Sequence, residues 1–496
     1  WHPQQAELGL ARAYCDSAQN YARHVDIDPA LEAHLALAIG RLCPDLGLHE
    51  QAITWASRGL ELYERLGDVA GQADALCCLA TAKMSLAYLL EARGYVARAL
   101  RLHQVAGLGA ARYLELLCLR ARLALYEGQV DAGLLAVQRA ASERETRVGS
   151  QEALHLLLAE AALLRQAGNL AQALQLLAEA QQALEESASH GLLPWLALER
   201  SWTQVLAGAK PAEARGALPK AASLQDVAMQ RSLALHFAVL DLLEARWSDA
   251  AARLEAVLQQ FQASGELLEI FAVQLYVAYV RLRVGQRSAA RLELEAALGW
   301  AEAAGCDGFA LCWHPEIVAE VCVEALRMGV RPRQAEVMIV RRLGDVAVPG
   351  LLRLLEAPEQ QARQRARSVL GALGVERTLE ALEGLPNVMV RRALREHLAE
   401  GRLAASRLDA LRSCLGATGN CVGWQRLAVF GYYAGGELGR LEIADRLAMS
   451  VGAVKREIAA IRAAFGVESA GGRDPGREHV RQRALADGFV LRRSGL

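Results

Sequence analysis

Apolar side chains recur along most of this chain at steps of three and four residues, the spacing of one face of an α-helix. Leu170, Leu174, Leu176, Leu177 and Leu184 give one such face, and runs of β-branched residues are scarce. The pattern predicts an all-α protein.

One phrase organises the first three hundred residues: a helix end, a glycine, a short polar turn, and a small residue five positions on. It reads Gly47-Leu-His-Glu-Gln-Ala52, Gly94-Tyr-Val-Ala-Arg-Ala99, Gly128-Gln-Val-Asp-Ala-Gly133 and Gly168-Asn-Leu-Ala-Gln-Ala173. It continues less cleanly from Gly208 to Ala214, then from Trp247 to Ala252 and from Gly285 to Ala290. From Gly128 the anchors fall at 128, 168, 208, 247 and 285, a spacing near forty residues. Glycine ends a helix in the left-handed conformation without steric cost, and the small residue lets the second helix cross closely over the first. One such hairpin cannot bury its own apolar face, so neighbours are expected to stack into an αα-solenoid over residues 1–335.

The pattern then changes twice. Val346 to Leu355, a polar turn at Ala357-Pro-Glu, and Ala362 to Gly374 form a shorter helical pair, with a degenerate unit from Arg377 to Leu398. This assigns 336–404 to a second kind of helical repeat, a spacer whose Arg363, Arg365 and Arg367 lie on a solvated face or meet nucleic acid. From Leu411 to Trp424 the chain turns to Gly, Ser, Thr, Asn and Cys, which marks a boundary or a short pair of strands. Residues 405–496 form the third unit.

Within that tail, Gln425–Ala434, Leu441–Ala448 and Val451–Phe465 read as three helices, broken by Gly435-Gly436 and by the turn Met449-Ser450. Ser450 is a good N-cap for the third. Ile443, Ala444 and Leu447 face inward from the second helix, and Val454, Ile458, Ile461 and Phe465 from the third. This is helix-turn-helix spacing, with the small Ala444 where the helices approach. Ser450, Gly452, Ala453, Lys455, Arg456, Ala459 and Arg462 lie on the other faces, so the start of the third helix is expected to enter a major groove of double-stranded DNA. Arg456 suits a guanine edge, while Lys455 and Arg462 suit phosphates. Glu457 would repel them.

Charge sharpens that expectation. Residues 401–496 carry 15 Lys+Arg against 9 Asp+Glu, a net of +6 on a body of net −7, which suits contact with a polyanion or a solvated basic surface. Hydrophobic residues make up 53% of the 496 and aromatics only 5%, so helix-favouring Ala and Leu supply the core. The ten cysteines lack paired metal-binding spacings and read as small buried hydrophobes. The eleven histidines, His24, His103, His155 and His314 among them, have no neighbouring nucleophile or ligand pattern. Cys312-Trp313-His314 is the one compact Cys/His grouping and is too little for a metal. No catalysis, cofactor or metal is therefore expected. Without a secretory signal or a membrane-spanning run, a cytoplasmic protein off the membrane is expected, and a chain starting at Trp1 reads as a piece of something longer.

The phrase around Arg165–Ala180 resembles the tetratricopeptide repeat, and its longer period is similar to the helical-repeat domain of MalT-type regulators. The pair at 346–374 looks like a HEAT-type repeat. Glu442-Ile-Ala-Asp-Arg-Leu, Ser450, Val454-Lys455 and Phe465-Gly-Val467 resemble the LuxR-type helix-turn-helix, with Val480–Gly488 as its closing helix and 471–476 as an inserted loop. A SARP-type winged helix competes, with strands in 411–424 and a wing in 479–492 turning at Asp487-Gly488. In MalT-type regulators an ATPase module precedes the repeats, and no Gly-x-x-x-x-Gly-Lys-Ser/Thr loop occurs here. The resemblance implies a bacterial transcription regulator. Its repeats would bind a peptide, a protein partner or a small-molecule inducer on their concave face, and its tail would bind promoter DNA. Pairing of two copies on DNA stays open. The alternative is a non-catalytic repeat scaffold for protein–protein contacts whose tail does not bind DNA.

Overall fold

A computed structural model describes residues 28–44, 48–107, 109–139, 151–186, 192–220, 227–375, 388–400, 402–415, 422–435, 438–467, 475–487 and 489–490, with a few isolated positions between them. These residues are mostly helical, with no strand among them, and the chain divides into two compact units, 1–314 and 315–495.

The first unit is a series of helical hairpins. In order they are α1 (Pro29–Leu42) with α2 (His49–Leu66), α3 (Val69–Ser85) with α4 (Leu89–Ala106), and α5 (Ala110–Tyr126) with α6 (Val130–Gln138). Next come α7 (Gln151–Gln166) with α8 (Leu170–Glu186), and α9 (Leu193–Leu206) with α10 (Pro211–Gly216). The last two pair α11 (Val227–Leu243) with α12 (Trp247–Ser264), and α13 (Leu267–Arg283) with α14 (Arg287–Ala304).

The repeated phrase turns where expected at four of its glycines and is shifted in register at two sites. The residue that closes the first helix of six of the seven hairpins is left-handed: Gly128 at φ +71°, Gly168 at +82°, Gly208 at +100° and Gly285 at +78°. Ala87 and Ala245 occupy the same place at +59° and +55°. Gly94 instead lies inside α4, so the second hairpin turns seven residues earlier than its glycine suggested. Trp247 likewise begins α12, after the turn at Ala245. Gly47 lies outside the described residues.

Five positions after the turns at Ala87, Gly168, Ala245 and Gly285 the helices do cross closely: Ala92, Ala173, Ala250 and Ala290 are fully buried. After Gly208, by contrast, the fifth position, Glu213, is exposed and the buried Ala214 comes sixth. At Gly133 an added Cβ would sit 2.8 Å from the Ala124 methyl. The irregular short helix α10 is tied on by charge. Asp241 of α11, almost wholly buried, accepts from Arg215 at 2.6 Å, from Arg253 at 3.0 Å, and from Arg246. Burial alone would raise its carboxyl; hydrogen bonds from Arg246 and Arg253, with the Arg215 charge, outweigh this and hold it below the usual range.

The second unit opens with α15 (Pro315–Met328) and α16 (Pro332–Met338), then a single π turn at Ile339–Leu343. The expected shorter pair follows as α17 (Val348–Leu355) and α18 (Gln360–Ala372). Arg363 donates to the carbonyls of Ala357 and Pro358 at 2.7 and 2.8 Å, and Arg365 to that of Leu326 at 2.8 Å. Two of the three arginines thus close helix ends, and only Arg367 is exposed.

Next is α19 (Val388–Ala399), whose buried His397 donates from Nε2 to the Ala428 carbonyl at 3.0 Å. Burial holds that imidazole down to about 3, neutral at ordinary pH. Helix α19 therefore packs on the tail, across the boundary drawn at residue 404. Helices α20 (Leu408–Cys414) and α21 (Val422–Gly435) replace the strands expected in 411–424 wherever that stretch is described.

Candidate nucleic-acid interface

Three further helices complete the tail: α22 (Arg440–Arg446), α23 (Val451–Ala464) and α24 (Pro475–Ala486). The expected wing is helical from residue 479 to Ala486 within α24, and neither Asp487 nor residues 489–490 form a strand. The last residues of that wing and the loop at 471–474 lie outside the described residues.

Each end of α22 and the start of α23 is set by a local hydrogen bond. Glu442 takes the Gly439 N–H at 2.6 Å, half of a capping box. Ala448 turns the chain at φ +49°, which lets the Met449 N–H reach the Ala444 carbonyl at 2.9 Å. Ser450 Oγ then accepts from the Ala453 N–H at 3.1 Å and caps α23.

All seven positions expected to face inward do so: Ile443, Ala444, Leu447, Val454, Ile458, Ile461 and Phe465 are buried. Helix α21 lies against them, with Phe430 stacked on Phe465 at 5.7 Å.

The opposite face of α23 is a stripe of Gly452, Lys455, Arg456, Ala459 and Ala463, all exposed. Their spacing of three and four keeps them on one side of the helix. Three of the five have no side chain beyond Cβ, so another surface can approach the backbone while the two cations reach past it. Among the described residues neither Lys455 nor Arg456 is in an ion pair.

The remaining site residues are placed differently. Ser450 is exposed and spent on the cap; Ala453 is half-buried beside it. Arg462 is half-buried and donates from Nε to the Tyr433 hydroxyl at 2.8 Å, its guanidinium over that ring, so it does not share the stripe with Lys455 and Arg456. Glu457 is not the free repulsive charge that its position suggested. Arg426 of α21 donates to it at 2.6 Å and also to the Leu415 carbonyl at 2.6 Å. Arg426 and Tyr433 shape the interface from a neighbouring helix, and no spacing within α23 announces either.

Compared with known proteins, the chain matches no family model and no curated protein. Among the described residues no helix is long and apolar enough to cross a membrane, and no group of three His, Cys, Asp or Glu is placed to hold a metal ion.

Proposed function

We propose that this chain is a DNA-binding regulator in which α22 and α23 form a helix-turn-helix and the exposed stripe of α23 meets the major groove. The observation that carries the reading is that stripe: two cations, without ion pairs among the described residues, set among three residues of minimal bulk on the face opposite the buried one. A merely solvated face has no reason to be so bare. Arg456 is the base-reading residue, because its fork matches the two acceptors of a guanine edge. Lys455 and the uncapped N–H groups at the start of α23 take phosphate oxygens. The tetratricopeptide-like hairpins of the first unit supply the sensing part, in the manner the MalT-type resemblance implies.

The test is DNA binding by the full chain over a salt series, with DNA from upstream of its own genomic locus. Binding that weakens with salt, and weakens further in Arg456→Ala, supports the regulator. A loss of about one unit of logarithmic salt slope in Lys455→Ala marks a phosphate contact. A folded chain indifferent to DNA at low salt sinks the proposal and leaves a repeat scaffold.

A further inference from the structure

Residues 306–314 follow α14, are not helical, and are reached by the first helices of five successive hairpins. The Tyr126 carbonyl, at the end of α5, accepts from the N–H groups of Asp307 and Gly308 at 2.9 and 3.1 Å. From α7, Gln166 Nε2 donates to the Phe309 carbonyl at 2.8 Å and Arg165 Nη2 to the Ala310 carbonyl at 3.3 Å. From α9, Trp202 Nε1 donates to the Trp313 carbonyl at 3.2 Å. From α11, His236 Nδ1 lies 3.1 Å from Cys312 Sγ. From α13, the Tyr276 hydroxyl donates to the Cys312 carbonyl, and the rings of Phe271 and Tyr276 stand edge-on to Phe309 at 5.9 and 6.0 Å.

This is the way a helical array holds an extended peptide. Side chains from successive helices take its main-chain groups, and apolar surroundings take its aromatic side chains. Two further observations distinguish the segment from ordinary core. Cys312 has φ +54°, a conformation that L side chains rarely adopt. Arg165 is 3% exposed, pairs with Glu199 at 2.9 Å, and keeps Nε and Nη1 without a hydrogen-bond partner. A buried guanidinium so incompletely matched by the segment beside it favours an occupant with a carboxylate.

We infer that this face of the first unit is a peptide-binding site and that residues 306–314 are a strap filling it in cis. The strap exchanges with an extended segment of a partner protein that bears an aromatic residue in the place of Phe309 and a carboxylate for Arg165. His314 leads directly into Pro315, the first residue of the other unit, so exchange adds free chain between the units. The inference deepens the regulator reading by naming its input; peptide capture itself does not depend on DNA.

The test uses the full chain and two fluorescent peptides, residues 304–316 of its own sequence and the same peptide with Ala310→Asp. Phe309→Ala/Trp313→Ala weakens the strap, and this variant is expected to bind the first peptide at least tenfold more tightly than the unaltered chain does. The second peptide binds more tightly still, and Arg165→Met removes that gain alone. A double variant that keeps its helical circular dichroism and binds neither peptide overturns the inference. Should the variant not fold, amide exchange in the unaltered chain decides. Asp307 and Gly308 exchanging faster than the interior of α13 upholds a strap that opens by itself, and exchange only through global unfolding overturns it. Peptide capture by a chain that ignores DNA leaves the site standing and sinks only the regulator.

Discussion

The first-helix face of the leading unit and the outer stripe of α23 both carry arginine, and they use it oppositely. Gln166, Trp202 and Tyr276 are spent on main-chain groups of the strap, and Arg165 is engaged only through Nη2, with the strap and with Glu199; an unmatched polar group away from water costs about 1–3 kcal/mol. Lys455 and Arg456 are solvated and carry no such cost, and among the described residues no partner accounts for their place. A buried polar group is explained by what it touches. An exposed one, on an otherwise bare surface, is explained by what is still to arrive.

The contrast breaks most visibly at Trp202. Its indole is among the largest fully buried side chains and donates to the strap, so Trp202→Ala should cost about 3–5 kcal/mol, read as a lower urea midpoint. A loss under about 1 kcal/mol would show that the strap face is not part of the core.

Next in size is a pH effect at Glu269, whose carboxyl is pushed up to about 7 by burial and then by Glu266, beside the Tyr126 hydroxyl. The folded chain keeps this proton where the unfolded chain, near 4.5, has lost it. Its contribution to stability therefore falls as pH rises from about 4.5 to 7, by on the order of 3 kcal/mol at most, and Glu269→Gln should abolish that fall. His236 and His314, held down to about 4 by burial, act in the other sense: folded stability is lost as pH drops below 6.5. With His397, held down to about 3, the buried imidazoles outweigh Glu269, so urea midpoints should rise from pH 4 to about 6.5 and flatten above it. Glu269→Gln should steepen the rise, and midpoints that fall over this range would refute the balance.

The α23 stripe should behave as the mirror image. Arg456→Ala is expected to cost about 1–3 kcal/mol in DNA affinity while moving stability by no more than about 0.5 kcal/mol. Equal losses in both would return Arg456 to the fold. Smallest is Ala448→Gly. Relief of its left-handed backbone is offset by the entropy of the unfolded chain, leaving a gain of a few tenths to about 1 kcal/mol in thermal stability. A loss would mean that φ +49° costs alanine nothing there.

Local physics made most of the helices and the inner face of α22 and α23 legible, since a run of Ile, Leu, Val and Phe at steps of three and four has one good way to be buried. The hairpin turn at Ala87 was not. A left-handed residue is required there, glycine is the cheapest choice, and the nearby Gly94 drew the register to itself although it sits within a helix. Strands in 411–424 were suggested by poor helix formers, whose preferences packing overrode in α20 and α21. The strap was missed for another reason. Between Gly305 and Pro315 the chain loses its helical period and gathers two aromatics, two cysteines and a histidine, which is a visible sign of something buried. Its partners, however, lie as far as 182 residues away, as between Tyr126 and Gly308, where no spacing rule reaches.

A row of hairpins that touch only their neighbours can begin folding anywhere and grow outward, and its contacts are local enough to form quickly. The strap alters that order of events. The hairpins from α5 to α14 find their shared partner only once residues 306–314 exist and have returned across all of them. On the ribosome they must wait, partly finished, for a segment made after all of them. Their assembly should accordingly be slow and concerted, with a single late phase in which five hairpins gain protection together.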